Sequence, residues 1–200
     1  MRLKEGNKEK DILQAAIKVF ADVGFHDAKI AQIAGIAGVA TGSVYVYFKN
    51  KNDLLNKIFL VLWEQLYVEL KIFVKNSYLT PVEKIDGMLD LILDVFTENP
   101  NLALVFVNEQ NHVMKNDDNE LIRYYEKFLD EGEKVLKEGI NKGVFSPSIN
   151  VKIFRHYIFG AIRNLLRNWA ISPKSFALDE IKLNIKFLIK YGIQKSDPKQ

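Results

Sequence analysis

The chain of 200 residues contains no cysteine, which excludes disulfide bonds and thiolate chemistry. Its first ten residues are mostly charged or polar and lack the apolar run of a signal peptide, and no segment holds about 18 uncharged apolar residues in succession. The three histidines, His26, His112 and His156, are scattered and do not have the spacing of a metal site. These absences predict a cytoplasmic protein without a metal ion and without a membrane span.

The sequence also lacks the patterns of the common catalytic centres. It has neither a glycine-rich phosphate loop nor a nucleophile elbow. One acidic group, Asp117 and Asp118 followed by Glu120, is interpreted as helix-capping and solvated carboxylates. We therefore expect that the protein is not an enzyme and holds no cofactor, although a helical enzyme remains a rival class that turnover of a substrate would reveal.

Every organised stretch of the chain has the apolar period of a helix, and no stretch has the period of two that indicates a strand. Capping residues precede several stretches, as in Thr80-Pro81-Val82-Glu83 and Asn99-Pro100. The predicted helices are 8–23, a short helix capped by Asp27, then 41–47, 51–74, 81–98, 101–114, 120–142, 148–170 and 177–191. We predict an all-α protein in which residues 1–50 and 51–200 form two domains.

The segment 30–55 has the pattern of a helix-turn-helix motif. Ile30, Ile33 and Ala34 recur at the spacing of one helical face, and Gly38 then interrupts the pattern. The following run 41–47 carries hydroxyls and aromatic rings without an acid. In such a motif the first helix supports the second, whose N-terminal residues enter the major groove of DNA.

The distribution of charge agrees with this interpretation. Residues 1–60 contain nine Lys plus Arg and six Asp plus Glu, a net charge of +3, whereas residues 61–200 contain nineteen of each. The whole positive excess therefore lies in the segment that carries the motif, as expected of a part that contacts a polyanion. Double-stranded DNA is the partner that this pattern predicts.

The residues that carry this motif resemble the TetR family of bacterial transcriptional repressors. The first helix ends in Gly24-Phe25, the turn is Ala37-Gly38-Val39, and the recognition helix ends in Tyr45-Val46-Tyr47-Phe48. A Lys-x-Lys-x-x-Leu sequence, residues 49–54, then opens the fourth helix. The resemblance implies three helices for DNA and a body of six helices for ligand binding and dimerisation, with the last two long helices forming a homodimer.

Residue types and the resemblance together suggest the contacts with DNA. Small and hydroxyl-bearing residues at the start of the recognition helix can approach phosphates or base edges, the tyrosines lie two apart and point in different directions, and lysines flank the motif. Thr41 has a second interpretation as a helix N-cap. Phe48 is interpreted as core. The predicted DNA-binding residues are Lys29, Thr41, Gly42, Ser43, Tyr45, Tyr47, Lys49 and Lys51.

The body is expected to hold a small lipophilic effector. Its aromatic and apolar residues can line a pocket or fill the core, and polar residues in apolar helical stretches are the better indication of a ligand, unless they face solvent. The apolar candidates are Trp63, Tyr67, Met88, Phe96, Phe106, Tyr125, Phe128, Phe159 and Trp169. The polar candidates are Glu109, His112 and Arg163.

The run 150–169 resembles the corresponding helix of the fatty-acid-responsive regulators of this family, which long-chain acyl-coenzyme A releases from DNA. Arg155, Arg163 and Arg167 would suit the phosphates of such a ligand. Two alternatives stay open at this point. One is a multidrug-type sensor in which Glu98 or Glu109 binds a cation, and the other is a helical ligand-binding protein that does not bind DNA.

Overall fold

The computed structural model describes residues 5–115, 119–172 and 177–193. Within these ranges the chain forms nine α-helices and no strand, as the apolar periodicity predicts. The helices are α1 (Glu5–Asp27), α2 (Ile30–Ala37), α3 (Thr41–Tyr47), α4 (Lys51–Val74), α5 (Pro81–Glu98), α6 (Pro100–Val113), α7 (Asn119–Asn141), α8 (Val151–Ile171) and α9 (Leu178–Ile193).

Two glycines shape the first three helices. Gly24 has φ 79° and ψ 160°, so regular helix ends there as predicted, and a single further turn completes α1. Gly38 closes α2 with φ 66°, a conformation that costs other residues free energy. The predicted cap of α2 is wrong by two residues. Asp27 ends α1, and Lys29 occupies the N-cap position, where its backbone N–H donates to Gln32 Oε1 at 2.9 Å.

The predicted caps of the later helices are confirmed. Asn50 Oδ1 accepts from the backbone N–H of Asp53 at 3.0 Å at the start of α4. At the start of α5, Glu83 Oε2 accepts from the backbone N–H of Thr80 at 2.7 Å, which completes a capping box. Several boundaries differ from the prediction by one to four residues: α1 spans Glu5–Asp27 rather than 8–23, and α8 begins at Val151 after its cap Asn150 rather than at position 148.

The long helix α4 connects the first three helices to the rest of the protein. Its buried residues follow a helical period from Leu54 to Leu70, and its apolar face packs against α1, α5, α6 and α7. Helix α6 packs against both α1 and α8. Side chains of α4, α5, α6, α7 and α8 therefore pack together in the core of the body. Helix α6 also contacts α1, which belongs to the part that carries the helix-turn-helix.

No single helix in the ranges 5–115, 119–172 and 177–193 is long and apolar enough to cross a membrane, and only α2 and α3 taken together, bent by 97° at their turn, meet that test of length and composition. The acidic pair at positions 117 and 118, interpreted above as capping and solvated, lies outside the described residues.

Candidate nucleic-acid interface and effector cavity

The recognition helix α3 presents one face to solvent. Helices α2 and α3 meet at 97°, within the usual range for a helix-turn-helix. Val44 and Phe48 are buried beneath α3, whereas Tyr45 is 55% exposed. Tyr47 is half-buried against the core. The two tyrosines thus point in different directions, as their spacing predicts, and Phe48 belongs to the core.

An open groove brings four of the predicted DNA-binding residues together. Lys29, Thr41, Tyr45 and Lys51 line it, along with the end of α1 and the start of α4. Gly42 and Lys49 are exposed but lie outside the groove, and Ser43 is half-exposed. The interpretation of Thr41 as an N-cap is wrong, because Ala40 occupies that position. The hydroxyl of Thr41 is therefore not required as a cap.

Lys51 has a structural role that the sequence did not indicate. Its Nζ donates to the carbonyl oxygens of Phe25 at 2.9 Å and His26 at 2.7 Å. The ammonium also lies 5.1 Å from the centre of the Phe25 ring. Both carbonyls belong to the turn that follows Gly24, so Lys51 fastens the start of α4 to the end of α1. Its remaining N–H is the one that can meet a phosphate.

The body contains a cavity of two adjoining parts. The larger part, about 220 Å³, lies between α4, α5, α6, α7 and α8. The smaller part, about 50 Å³, has a mostly aliphatic lining from α5, α7, α8 and α9, with Glu133 and Arg155 as its charged residues. Ile92, Phe159 and Ile162 line both parts and so lie between them. One part thus suits hydrocarbon, and the other combines apolar walls with polar groups.

The structure brings most of the predicted ligand-binding residues to this cavity. The larger part is lined by Trp63, Phe96, Phe106, Tyr125, Phe159 and Arg163, and the smaller part by Met88 and Phe159. Phe128 lies behind the wall, with its ring 5.6 Å from that of Trp63.

Four predicted ligand-binding residues do not line this cavity, and for them ligand binding stays a prediction. Tyr67 packs on Tyr124 and lies beneath the ammonium of Lys127. Glu109 and Trp169 do not line either part. His112 lies at the junction with the first helices, where its Nε2 is 3.1 Å from Asn52 Oδ1 and its ring 5.2 Å from that of Phe25.

Gln110 is the polar residue that the sequence interpretation missed. It is 7% exposed and lines the larger part of the cavity, four residues after Phe106 on the same face of α6. Gln110 follows the buried Phe106 by four residues and precedes the buried Val113 by three, so it continues the apolar face of α6. That register relative to Phe106 was the signal that could have identified Gln110.

The polar groups of the larger part of the cavity differ in charge and in hydrogen-bonding capacity. Burial, with Glu126 nearby, raises the pKa of Tyr125, so its phenol stays protonated and can donate a hydrogen bond. Arg163 and His156 complete the polar lining. The oxygen Oε1 of Gln110 and the indole N–H of Trp63 are both buried without a hydrogen-bond partner.

The three arginines of α8 have different surroundings. Arg163 lines the larger part of the cavity, and Arg167 is exposed on the surface. Arg155 lines the smaller part, but it forms ion pairs with Glu126, Asp130 and Glu133. Desolvation alone would lower the pKa of Arg155, but these carboxylates outweigh it and raise that pKa. The charge of Arg155 is already balanced by these carboxylates. Arg163 is therefore the arginine suited to an anionic ligand.

The last two helices expose an apolar face. A residue of this size and polarity is normally buried, yet these side chains are 59% to 68% exposed in the single chain. The exposed residues are Ile153, Tyr157, Ile171, Leu183, Phe187, Leu188 and Tyr191. Such a face is typical of a surface that another protein covers.

Among the residues that the structure describes, no three His, Asp or Glu side chains lie close enough together to hold a metal ion.

Two family models match the chain, and the break between them lies within α4. One, described as "Bacterial regulatory proteins, tetR family", matches residues 12–58, and the other, described as "YsiA-like protein, C-terminal region", matches residues 65–192. Among curated proteins, the chain is 29% identical to the fatty acid metabolism regulator protein of Bacillus subtilis strain 168, over 93% of this chain and 95% of that protein.

Solved structures agree with these matches. The fatty acid degradation regulator FadR of Bacillus halodurans superimposes with a TM-score of 0.80 at 25% identity, covering 93% of this chain and 96% of that one. FadR of Bacillus subtilis in complex with stearoyl-CoA gives 0.79 at 26% identity, covering 92% and 99%. The ketosteroid regulator KstR2 of Mycobacterium tuberculosis, at 18% identity over 96% and 98%, shares the fold with a TM-score of 0.81.

Proposed function

Because this chain belongs to the TetR family and is a DNA-binding transcriptional repressor, we propose that it binds a palindromic operator as a homodimer and that a long-chain acyl-coenzyme A releases it. We further propose that residues 1–50 form the DNA-binding domain, that residues 51–200 form the effector-binding and dimerisation domain, and that the protein acts in the cytoplasm.

The proposed DNA interface is the exposed face of α3 with the groove beside it. Tyr45, Thr41 and Lys29 would contact base edges or phosphates, while Gly42 and Ser43 allow the backbone to approach the DNA. The N-terminus of α4 and the ammonium of Lys51 would together favour a phosphate. The proposal is supported by the exposure of Tyr45 and by the way α2 braces α3 at 97°.

The proposed dimer forms through the apolar face of α8 and α9. Tyr157 and Phe187 would be central residues of an interface in which the same face of each copy meets the other. Two recognition helices related by such a symmetry axis can read two half-sites about 34 Å apart, or a multiple of that distance. The symmetry of the dimer would then explain a palindromic operator.

A single observation carries the effector proposal: an aliphatic compartment adjoins a compartment that contains Arg163. An acyl chain would occupy the aliphatic part, and the polar end of the effector would lie near Arg163 and His156. The multidrug alternative is not favoured, because neither Glu98 nor Glu109 lines the cavity and Arg163 would repel a cation. The one carboxylate among the described residues that lines it, Glu133, is already paired with Arg155 and Lys137. The ligand in the Bacillus subtilis FadR structure, stearoyl-CoA, has the same division into chain and charged end.

The proposed release mechanism follows from the size of the cavity. Its two parts, about 220 and 50 Å³, are smaller than the roughly 300–1,000 Å³ of ordinary ligand pockets, so a long chain must push the surrounding helices apart. Helix α6 carries Phe106 and Gln110 on the cavity and His112 against Asn52 and Phe25. Movement of α6 would therefore shift the start of α4 and change the spacing of the two recognition helices.

A gel-shift titration tests the proposal directly. The full-length protein should retard a duplex from its own upstream region at nanomolar concentrations, and palmitoyl-CoA should reverse the shift while coenzyme A alone should not. Absence of any shift at low ionic strength would favour a ligand-binding protein that does not bind DNA. A shift that palmitoyl-CoA leaves unchanged would refute the effector while keeping the repressor.

A further inference from the structure

The end of the Met88 side chain rests on the bare backbone of Gly132, and both residues line the smaller part of the cavity. A Cβ atom added to Gly132 would lie 2.7 Å from Cε and 3.0 Å from Sδ of Met88. Apart from the backbone of α7 and the adjoining residues of the chain, no other atom of the described residues lies within 4 Å of that position. The thioether of Met88 therefore occupies the space that a side chain at position 132 would take.

The pair lies inside the smaller part of the cavity, away from the larger part. On α5, Ile92 lines both parts, and Met88 precedes it by four residues, which is about 6 Å along the helix axis. On α7, Tyr125 lines the larger part, and Gly132 follows it by seven residues, which is about 10 Å. A chain whose polar end stays near Arg163 would therefore pass Ile92 before it reaches Met88.

The conformation of Met88 determines how much of the smaller part is open. Met88 is 8% exposed, so the open space beside its side chain is chiefly the cavity that it lines. Methionine is unbranched and flexible, and it fills whatever space its neighbours leave. Because Gly132 has no side chain, the thioether lies against α7. A methyl group at position 132 would push the thioether into the cavity.

We propose that Met88 and Gly132 together set the longest acyl chain that the cavity accepts, an inference that rests on the proposed acyl effector and adds chain length to its specificity. The tip of the chain would meet the thioether of Met88, and Gly132 would hold the thioether back. The two residues are then specificity-determining residues. They would change which chain binds best, while the charged end of the ligand keeps its place near Arg163.

A more distant wall is the competing explanation for a limit on chain length. Ile85 and Leu136 also line the smaller part, and they lie about one helical turn beyond Met88 and Gly132. If the chain passed Met88 and ended against these residues, changes at positions 88 and 132 would alter the width of the cavity but not the longest chain. The two arrangements therefore differ in how affinity depends on chain length.

The experiment measures the affinity of the full-length protein for saturated acyl-CoA ligands from octanoyl-CoA to arachidoyl-CoA. Isothermal titration calorimetry, at ligand concentrations below micelle formation, gives each affinity. Every methylene that the cavity buries should raise the affinity by roughly 4-fold. The chain limit, defined as the length at which affinity stops rising, marks where the tip of the chain meets the wall.

Two substitutions should move the chain limit in opposite directions. Met88→Ala removes Cγ, Sδ and Cε and should lengthen the limit by about two methylenes. Gly132→Ala should shorten it by about two, because the displaced thioether takes the space of the chain. In the double variant the methyl group meets neither Sδ nor Cε, so its limit should match that of Met88→Ala. The control Met114→Ala removes the same atoms from a methionine that lines neither part and should keep the wild-type limit.

A second measurement uses the wild-type chain and does not depend on how Gly132→Ala folds. The methyl resonance of Met88, in protein labelled with ¹³C-methyl methionine, is assigned by its absence from Met88→Leu. It should shift with each longer ligand and stop shifting at the chain limit. A chain limit that Met88→Ala leaves unchanged, or an equal effect of Gly132→Ala with and without Met88, would overturn the inference. Failure of every acyl-CoA to bind the wild-type protein would instead refute the acyl effector itself.

Discussion

Replacing Lys51 with methionine separates a structural role from a DNA contact at the same residue. Methionine keeps an unbranched side chain of similar length and removes the ammonium. The two carbonyls of Phe25 and His26, 2.9 and 2.7 Å from Nζ, then lose their donor. The hydrogen bond to Phe25 is partly buried and the one to His26 is exposed, so water replaces the donor of His26 more easily than that of Phe25.

The size of the effect follows from this difference. A hydrogen bond from a charged donor contributes about 1.5–3 kcal/mol when shielded, and less when water competes. We take the low end for the bond to Phe25 and a smaller value for the bond to His26. The free energy of unfolding should therefore fall by about 2 kcal/mol. In a protein of this length, each kcal/mol corresponds to roughly 2–4 °C, so the midpoint should fall by about 4–8 °C.

The effect on DNA binding is measured by its dependence on salt. If Lys51 also neutralises a phosphate, the slope of log K against log salt should become shallower by about 0.9 in Lys51→Met. Lys49→Met is the matched control for stability, because Lys49 is exposed beside the same helix end and the hydrogen bond seen there comes from its backbone N–H. That variant should keep the melting temperature of the wild-type protein.

Two results would refute this reasoning separately. A melting temperature unchanged in Lys51→Met would mean that the two carbonyl contacts do not stabilise the junction of α1 and α4. An unchanged salt slope, with binding otherwise intact, would remove Lys51 from the DNA contacts and leave it as a structural residue. Circular dichroism melts and fluorescence anisotropy on one operator duplex provide both readouts.

Three further predictions concern the dimer, acid stability and the turn of the DNA-binding motif. Tyr157→Asp combined with Phe187→Asp should give monomers in sedimentation velocity and weaken operator binding by ~100-fold or more, because unpaired carboxylates would be buried between the copies. A dimer that persists in this variant would exclude the apolar face of α8 and α9 as the dimer interface. Burial opposes ionisation of Asp90, but hydrogen bonds from Lys186 and Lys182 outweigh it and lower the pKa of Asp90 below 3.8. The free energy of unfolding that Asp90→Asn loses at pH 7, relative to the wild-type protein, should therefore disappear as the pH falls through that lowered pKa. Urea unfolding that shows the same difference between variant and wild type at pH 7 and below that pKa would contradict the ion pairs. Gly38→Ala should destabilise the protein by about 1 kcal/mol, since φ is 66° there. Gly35→Ala, with open space around the added methyl, should stabilise the protein by roughly 0.5–1 kcal/mol. Urea unfolding in which the two variants change the free energy of unfolding equally would refute the assignment of the turn.

The candidate site illustrates which predictions local patterns support. The capping box at Thr80 and the period of the apolar residues in α4 indicated these helices from short stretches of sequence, because caps and periodicity depend on neighbours three or four residues apart. The same reasoning placed Arg163 on the cavity. It did not indicate the contact of His112 with Asn52, because the two residues are sixty apart in the chain.

The sequence by itself therefore determined the helical class, the helix-turn-helix and most helix ends, since each depends on contacts within a few turns. The tertiary structure decided which polar side chain meets which neighbour. Only the packing of α4 against α6 brings Trp63 and Gln110 to one cavity, and only the approach of α4 to α1 places the ammonium of Lys51 on the backbone of Phe25. Distances between helices depend on the whole core at once, and no short segment of the chain contains that information.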